Sequence, residues 1–190
     1  FAHPALLALA MLGGRITRAL RLSSLLARLP GRFGFAMAML EATRTPIARK
    51  AYRPAGDGSR GSATLLTGCV MEGLFTETNR ATERTLAENN YAIVPTSGQR
   101  CCGALHAHAG DADAARLLAR HNIAAFEASG ADFIVVNAAG CGAMMKEYEH
   151  LLADDAAWRE RAAAMSARVR DVSELLAEAG PRPGAALDVT

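Results

Sequence analysis

Cysteine is the residue that most restricts this chain. It occurs four times in 190 residues, as Cys69, the adjacent pair Cys101-Cys102, and Cys141. A glycine stands beside each site, at Gly68, Gly103, Gly140 and Gly142. Glycine adopts positive φ in tight turns and lets backbone approach a bulky inorganic ligand closely. Four cysteines in a chain of this length do not make a secreted disulfide framework. Their spacing also lacks the two close Cys-x-x-Cys knuckles of a zinc ribbon. Thiolates select iron–sulfur clusters, zinc or copper(I), and a four-cysteine set does not by itself choose among them. The competing reading is four separate buried thiols, or thiols that pair on oxidation. If the four act together, the fold must bring three distant stretches to one point.

The hydrophobic pattern shows how it can. Residues 63–67 are a short apolar run suited to a buried strand, ending at Gly68-Cys69. Residues 74–89 carry Leu74, Ala81, Leu86 and Ala87 at helical spacing, with Asn79, Arg80, Glu83 and Arg84 expected on the polar side. Residues 91–94 form a second strand, and a loop then delivers Cys101-Cys102. A helix from about Asp111 to Ser129 ends at Gly130. Residues 132–136 form a third strand whose exit turn leads to Cys141. Helices are expected over 141–152 and 156–178, and a strand start over 185–190. Alternating strands and helices predict an α/β fold: a small parallel sheet flanked by helices, built from Rossmann-like βαβ units. In such a sheet all three cysteine-bearing loops open on the carboxyl edge, where open α/β folds bind ligands. With strands about 4.8 Å apart, Cys69, Cys101, Cys102 and Cys141 come within reach of one small inorganic group.

Ahead of this region, residues 1–45 read as a helical segment and 46–62 as a linker marked by Pro46, Pro54, Gly56, Gly58 and Gly61. The cysteine-rich domain is expected over 63–190. Residues 2–29 repeat apolar positions at helical spacing, with a kink or split expected at Gly13-Gly14. The formal net charge of +2 conceals an asymmetry: the first sixty residues hold ten basic and two acidic side chains, leaving a deficit of six for the rest. The basic helix is expected to pack on its own domain or a neighbour; its other reading is an anchor to an anionic membrane surface or a partner. The longest apolar run falls far short of the roughly 20 residues that span a bilayer, and no secretory leader is legible. The chain opens on Phe1 and reads as a piece of a longer protein. No G-x-S-x-G, HExxH or Walker A motif is present, and nucleic-acid binding finds no supporting motif.

Three stretches together carry a resemblance: Leu65-Leu66-Thr67-Gly68-Cys69-Val70, Cys101-Cys102-Gly103-Ala104-Leu105-His106-Ala107-His108-Ala109-Gly110-Asp111, and Asn137-Ala138-Ala139-Gly140-Cys141-Gly142. The gaps of 31 residues between Cys69 and Cys101, and 38 between Cys102 and Cys141, fit the cysteine-rich CCG domain of heterodisulfide reductase-type iron–sulfur proteins. Within it the chain resembles the iron–sulfur subunits of glycolate oxidases. Met144-Met145-Lys146-Glu147-Tyr148 and Asp171-Val172-Ser173-Glu174-Leu175-Leu176 add to the likeness. The resemblance implies an electron-transfer module, the first of two such domains, that takes electrons from flavoprotein subunits and passes them toward quinone. It implies a cytoplasmic protein, or one peripheral on the inner membrane. It also implies an iron–sulfur cluster on Cys69, Cys101, Cys102 and Cys141, a [4Fe–4S] in the intact protein, with absence or zinc as the alternatives in this fragment. His106, His108, Gly103 and Met144 are expected around the sulfurs. One departure stands out: the family pattern ends Cys-x-x-Cys, and Met144 occupies the last position, which argues against a noncubane cluster needing five cysteines.

Overall fold

The computed structural model describes residues 4–43 and 56–180. In chain order the elements are α1 (Pro4–Ala19), α2 (Leu22–Leu26), α3 (Gly31–Glu41), β1 (Ser62–Leu65), α4 (Cys69–Leu74), α5 (Thr76–Glu88), β2 (Ala92–Ile93), α6 (Ala104–His108), α7 (Ala112–Ser129), β3 (Phe133–Val136), α8 (Ala139–Lys146), α9 (Tyr148–Leu151), α10 (Arg159–Ser166), β4 (Val169–Asp171) and α11 (Val172–Ala179). The four strands form one parallel sheet in the order β2-β1-β3-β4, the α/β architecture expected.

Strand alternation sorts the core onto two faces. Ile134 and Val136 of β3 join Leu118, Ile123, Phe126, Met145, Tyr148 and Leu152 on one side. Val135 joins Leu65, Leu86, Tyr91 and Leu175 on the other. Helices therefore cover both faces, which is why Phe133–Val136 is an unbroken apolar run. Cys101 and Cys102 belong to the larger of these cores. The chain steps from β1 to β2 on one side, then crosses to β3 on the other. The order thus reverses between β1 and β3, the place where open sheets leave a crevice at their carboxyl ends.

Three details differ from the sequence expectation. The stretch 156–178 is not one helix: Val169–Asp171 pairs in register with Ile134–Val136 as a fourth strand. The chain then re-enters helix through a capping box, with Asp171 Oδ1 accepting from Ser173 N at 2.9 Å and Glu174 Oε2 accepting from Asp171 N at 2.7 Å. This Asp-x-x-Glu signature, preceded by Val169, marks a new helix start. Helix α1 runs unbroken through Gly13-Gly14, and the break comes at Arg21, whose φ is 56°. Gly14 faces Leu40 and Leu74. The strand expected over 185–190, and most of the linker, lie outside the described residues.

The N-terminal helices lie against the sheet domain through α4. Arg15 Nε donates to Gly73 O at 3.0 Å and its Nη2 to Glu72 O at 3.2 Å. Arg18 is buried and donates to the Thr43 hydroxyl. Leu6, Leu9, Leu12, Ile16 and Leu20 of the same segment are exposed.

Candidate metal centre

Each cysteine is set by the exit of a strand. After β1, Gly68 turns the chain with φ 68°, ψ 165°, and Cys69 opens α4. After β2, the loop is fixed by Gln99: its Nε2 donates to Leu65 O at 3.1 Å and Thr96 O at 3.2 Å, and its Oε1 accepts from Thr67 N at 2.9 Å. One amide thus ties the Cys69 exit to the Cys101 exit. Gly103, at φ 89°, lets the chain turn from Cys102 into α6. After β3, Asn137 Nδ2 donates to Asn79 Oδ1 at 2.9 Å and Thr82 Oγ1 at 3.0 Å. Asn79 Nδ2 in turn donates to Thr67 O at 2.8 Å. Cys141 follows in the first turn of α8.

The backbone of the cysteine pair is held from inside the core. Tyr148 Oη donates to Cys102 O at 2.7 Å. Asn122 Nδ2 donates to Cys101 O at 3.0 Å and to Tyr148 Oη at 3.1 Å, while Asn122 Oδ1 accepts from Arg100 N at 2.7 Å. Both side chains are completely buried. Burial holds the Tyr148 phenol above its ordinary range, so it remains a donor.

The four thiols are free and meet at the carboxyl edge, with Cys101 and Cys102 buried and Cys69 and Cys141 half-buried. Cys69 Sγ donates to Cys101 Sγ at 3.5 Å. Cys102 lies within hydrogen-bond reach of both Cys101 and Cys141. The Cys102 and Cys69 thiols, hydrogen-bonding to Cys101, hold it far below the usual thiol range, with help from the Gly103 N–H. Cys141 is lowered by Cys102. Cys69 and Cys102 are pushed up, chiefly by hydrogen bonding to Cys101 and, for Cys102, also to Cys141; burial adds to this. Backbone N–H groups of Val70, Gly103 and Ala104 point at three of the sulfurs and favour their thiolate forms.

The donor chemistry fits a thiolate-bound group: four soft, reduced sulfurs from three loops, with N–H donors in attendance. Two thiolates on a tetrahedral zinc stand about 3.8 Å apart, comparable to the Cys69–Cys101 pair. Among the described residues, however, no group of three or more His, Cys, Asp or Glu is disposed to hold a single metal ion.

The remaining expected residues divide. Gly103 shapes the turn, and Met144 is buried in the same core as Cys101 and Cys102. His106 is mostly buried and bound to Asp111, whereas His108 is exposed. An extended segment would have put both histidines on one face, but residues 104–108 are helical, which turns the two about 200° apart. Arg100 is exposed, and Lys146 pairs with Glu174 at 2.7 Å. Asn79 is buried, not on a polar face. Asn79, Gln99, Asn122 and Tyr148 were not expected at the site. The readable sign for Asn122 was an amide among the core-facing Leu118, Ala119, Ile123 and Phe126 of one helix.

Four free thiols gathered at the switch point of a parallel sheet define a cysteine-rich α/β domain. Residues 63–146 match the family model of the cysteine-rich CCG domain. The chain is 42% identical over 130 residues to a Bacillus subtilis protein named probable glycolate oxidase iron-sulfur subunit, covering 68% of this chain and 29% of that relative. It is 36% identical over 117 residues to the Escherichia coli glycolate oxidase iron-sulfur subunit, covering 60% and 29%. It is 29% identical over 117 residues to lactate utilization protein A of an Exiguobacterium species, covering 62% and 48%. The chain thus spans less than half the length of these curated relatives. No solved structure matches it.

Proposed function

We propose that the chain is part of the iron–sulfur subunit of an oxidase, and that its domain is an electron-transfer module with Cys69, Cys101, Cys102 and Cys141 as ligands. The observation that carries this reading is the meeting of four free thiols at one sheet edge. The relatives' names agree in kind. A bound cluster, a [4Fe–4S] in this reading, supplies reversible one-electron storage. The protein's own part is to hold and tune it. Asn122 and Tyr148 fix the Cys101-Cys102 backbone, Gln99 and Asn79 keep the three loops in step, and the Val70, Gly103 and Ala104 N–H groups offset negative charge on sulfur. In the whole protein, flavoprotein subunits oxidising glycolate would deliver electrons here, and a quinone-side partner would receive them. The complex would work in the cytoplasm or on the inner face of the membrane. No described helix is long and apolar enough to cross one.

Anaerobic reconstitution followed by iron and sulfide analysis tests the reading. Retention of both in the wild-type chain, and their loss in Cys101→Ser, is expected; a folded wild-type protein that keeps no iron overturns it. A second reading rests on the 3.5 Å approach of Cys69 to Cys101: a thiol–disulfide pair between those two. Thiol titration after air exposure separates them, since loss of two thiols from metal-free protein favours the pair.

A further inference from the structure

Helix α6 leaves Cys102-Gly103 directly and carries His106. The side chain is 16% exposed, and its Nδ1 lies 3.0 Å from Asp111 Oδ2. Asp111 is itself fixed, because its Oδ1 caps α7 by accepting from Ala114 N at 3.2 Å. A carboxylate only accepts, so the proton sits on Nδ1 and Nε2 presents its lone pair. That nitrogen is buried and has no hydrogen-bond partner among the described residues. Buried polar atoms without partners are few in native proteins, and each calls for a reason such as an ion the site holds. The ring's place in the fold points to one: the five-residue helix that bears it begins directly after Cys102-Gly103 and packs against α8, which bears Cys141. A carboxylate that orients a histidine through one ring nitrogen and leaves the other free is the arrangement proteins use to prepare an imidazole for a metal.

We propose that His106 is a fifth ligand of the centre formed by Cys69, Cys101, Cys102 and Cys141, bound through Nε2 and oriented by Asp111. This rests on the iron–sulfur reading above. It makes the donor set mixed, with a neutral imidazole beside four thiolates. Such a ligand leaves the centre one negative charge poorer than a fifth thiolate would, and raises its reduction potential. His108, exposed and turned away on the same helix, has no part in it.

The test uses the 190-residue chain, made with ¹⁵N-histidine and at natural abundance, reconstituted anaerobically with iron and sulfide and poised in a paramagnetic state. Pulsed EPR on the wild type is expected to show a directly bonded nitrogen whose coupling follows the isotope. That coupling vanishes in His106→Gln while iron is retained. A wild-type cluster without a bonded nitrogen, or a coupling that survives His106→Gln, overturns the proposal alone. A wild-type chain that binds no iron overturns it together with the iron–sulfur reading. Should His106→Gln lose its iron, His106→Cys decides. Iron retained without nitrogen coupling and at a lower midpoint potential supports ligation, whereas iron with coupling, or iron lost from the folded variant, overturns it.

Discussion

Tyr148 and Asn122 show how a cysteine-bearing loop is made rigid from beneath. Their polar atoms are buried, mutually bonded, and spent on the carbonyls of Cys101 and Cys102. Removing the Tyr148 hydroxyl leaves the Cys102 carbonyl without its donor inside the core. Tyr148→Phe should therefore lower stability by about 1–3 kcal/mol, read from chemical denaturation of the metal-free protein. It should also speed iron loss from the reconstituted protein without changing the number of reactive thiols. The four cysteines were legible as a set because each follows a strand. The buried amides were not, because Asn79 and Asn122 look like polar-face residues until the direction of each helix is known. His106 and His108 were legible as residues but not as different ones, since that distinction depends on the five-residue helix they share.

At the scale of elements, the close seating of α8 on β3 places Cys141. A Cβ on Gly142 would lie 2.8 Å from Val136 Cγ2, and a β-branched side chain in a packed strand has little freedom to yield. Gly142→Ala should cost about 1–3 kcal/mol and displace Cys141 from its partners. Thermal melts should show the loss, and adding Val136→Ala should recover part of it. The strands and helices through Val136 were readable because strand runs and helical periods alternate cleanly. The readable sequence failed at Val169–Asp171, where no glycine or proline separates the strand from the helices on either side. The apolar positions of its flanking helices happen to continue one period across it.

For the molecule as a whole, acid should loosen the fold through carboxylates bound on the sheet's periphery. Glu174 is held below its ordinary 4.5 by Lys146 and the Asp171 N–H. Asp132 is held below 3.8 by the N–H and hydroxyl of Ser62. For each, the folded value lies under the unfolded one. Their stabilisation is thus complete above about pH 4.5 and fades as pH falls through the folded values. Melting temperature measured from pH 6 to pH 3 should fall at the acid end, and Glu174→Gln should flatten that fall while leaving the neutral plateau lower.

The order β2-β1-β3-β4 gives the cysteine spacing a different meaning from that of a ligand motif. The 31 residues from Cys69 to Cys101 contain α4, α5 and β2, and the 38 from Cys102 to Cys141 contain α6, α7 and β3. Each gap is the length of one crossover, down a helix and back up a strand, and measures the depth of the sheet rather than anything about sulfur. Chain length can therefore drift at the far rim, around Asn89-Asn90 and Gly130, without moving a thiol. At the near rim, between Gln99 and Gly103, a single inserted residue would put the pair out of reach of the amide and phenol that hold it.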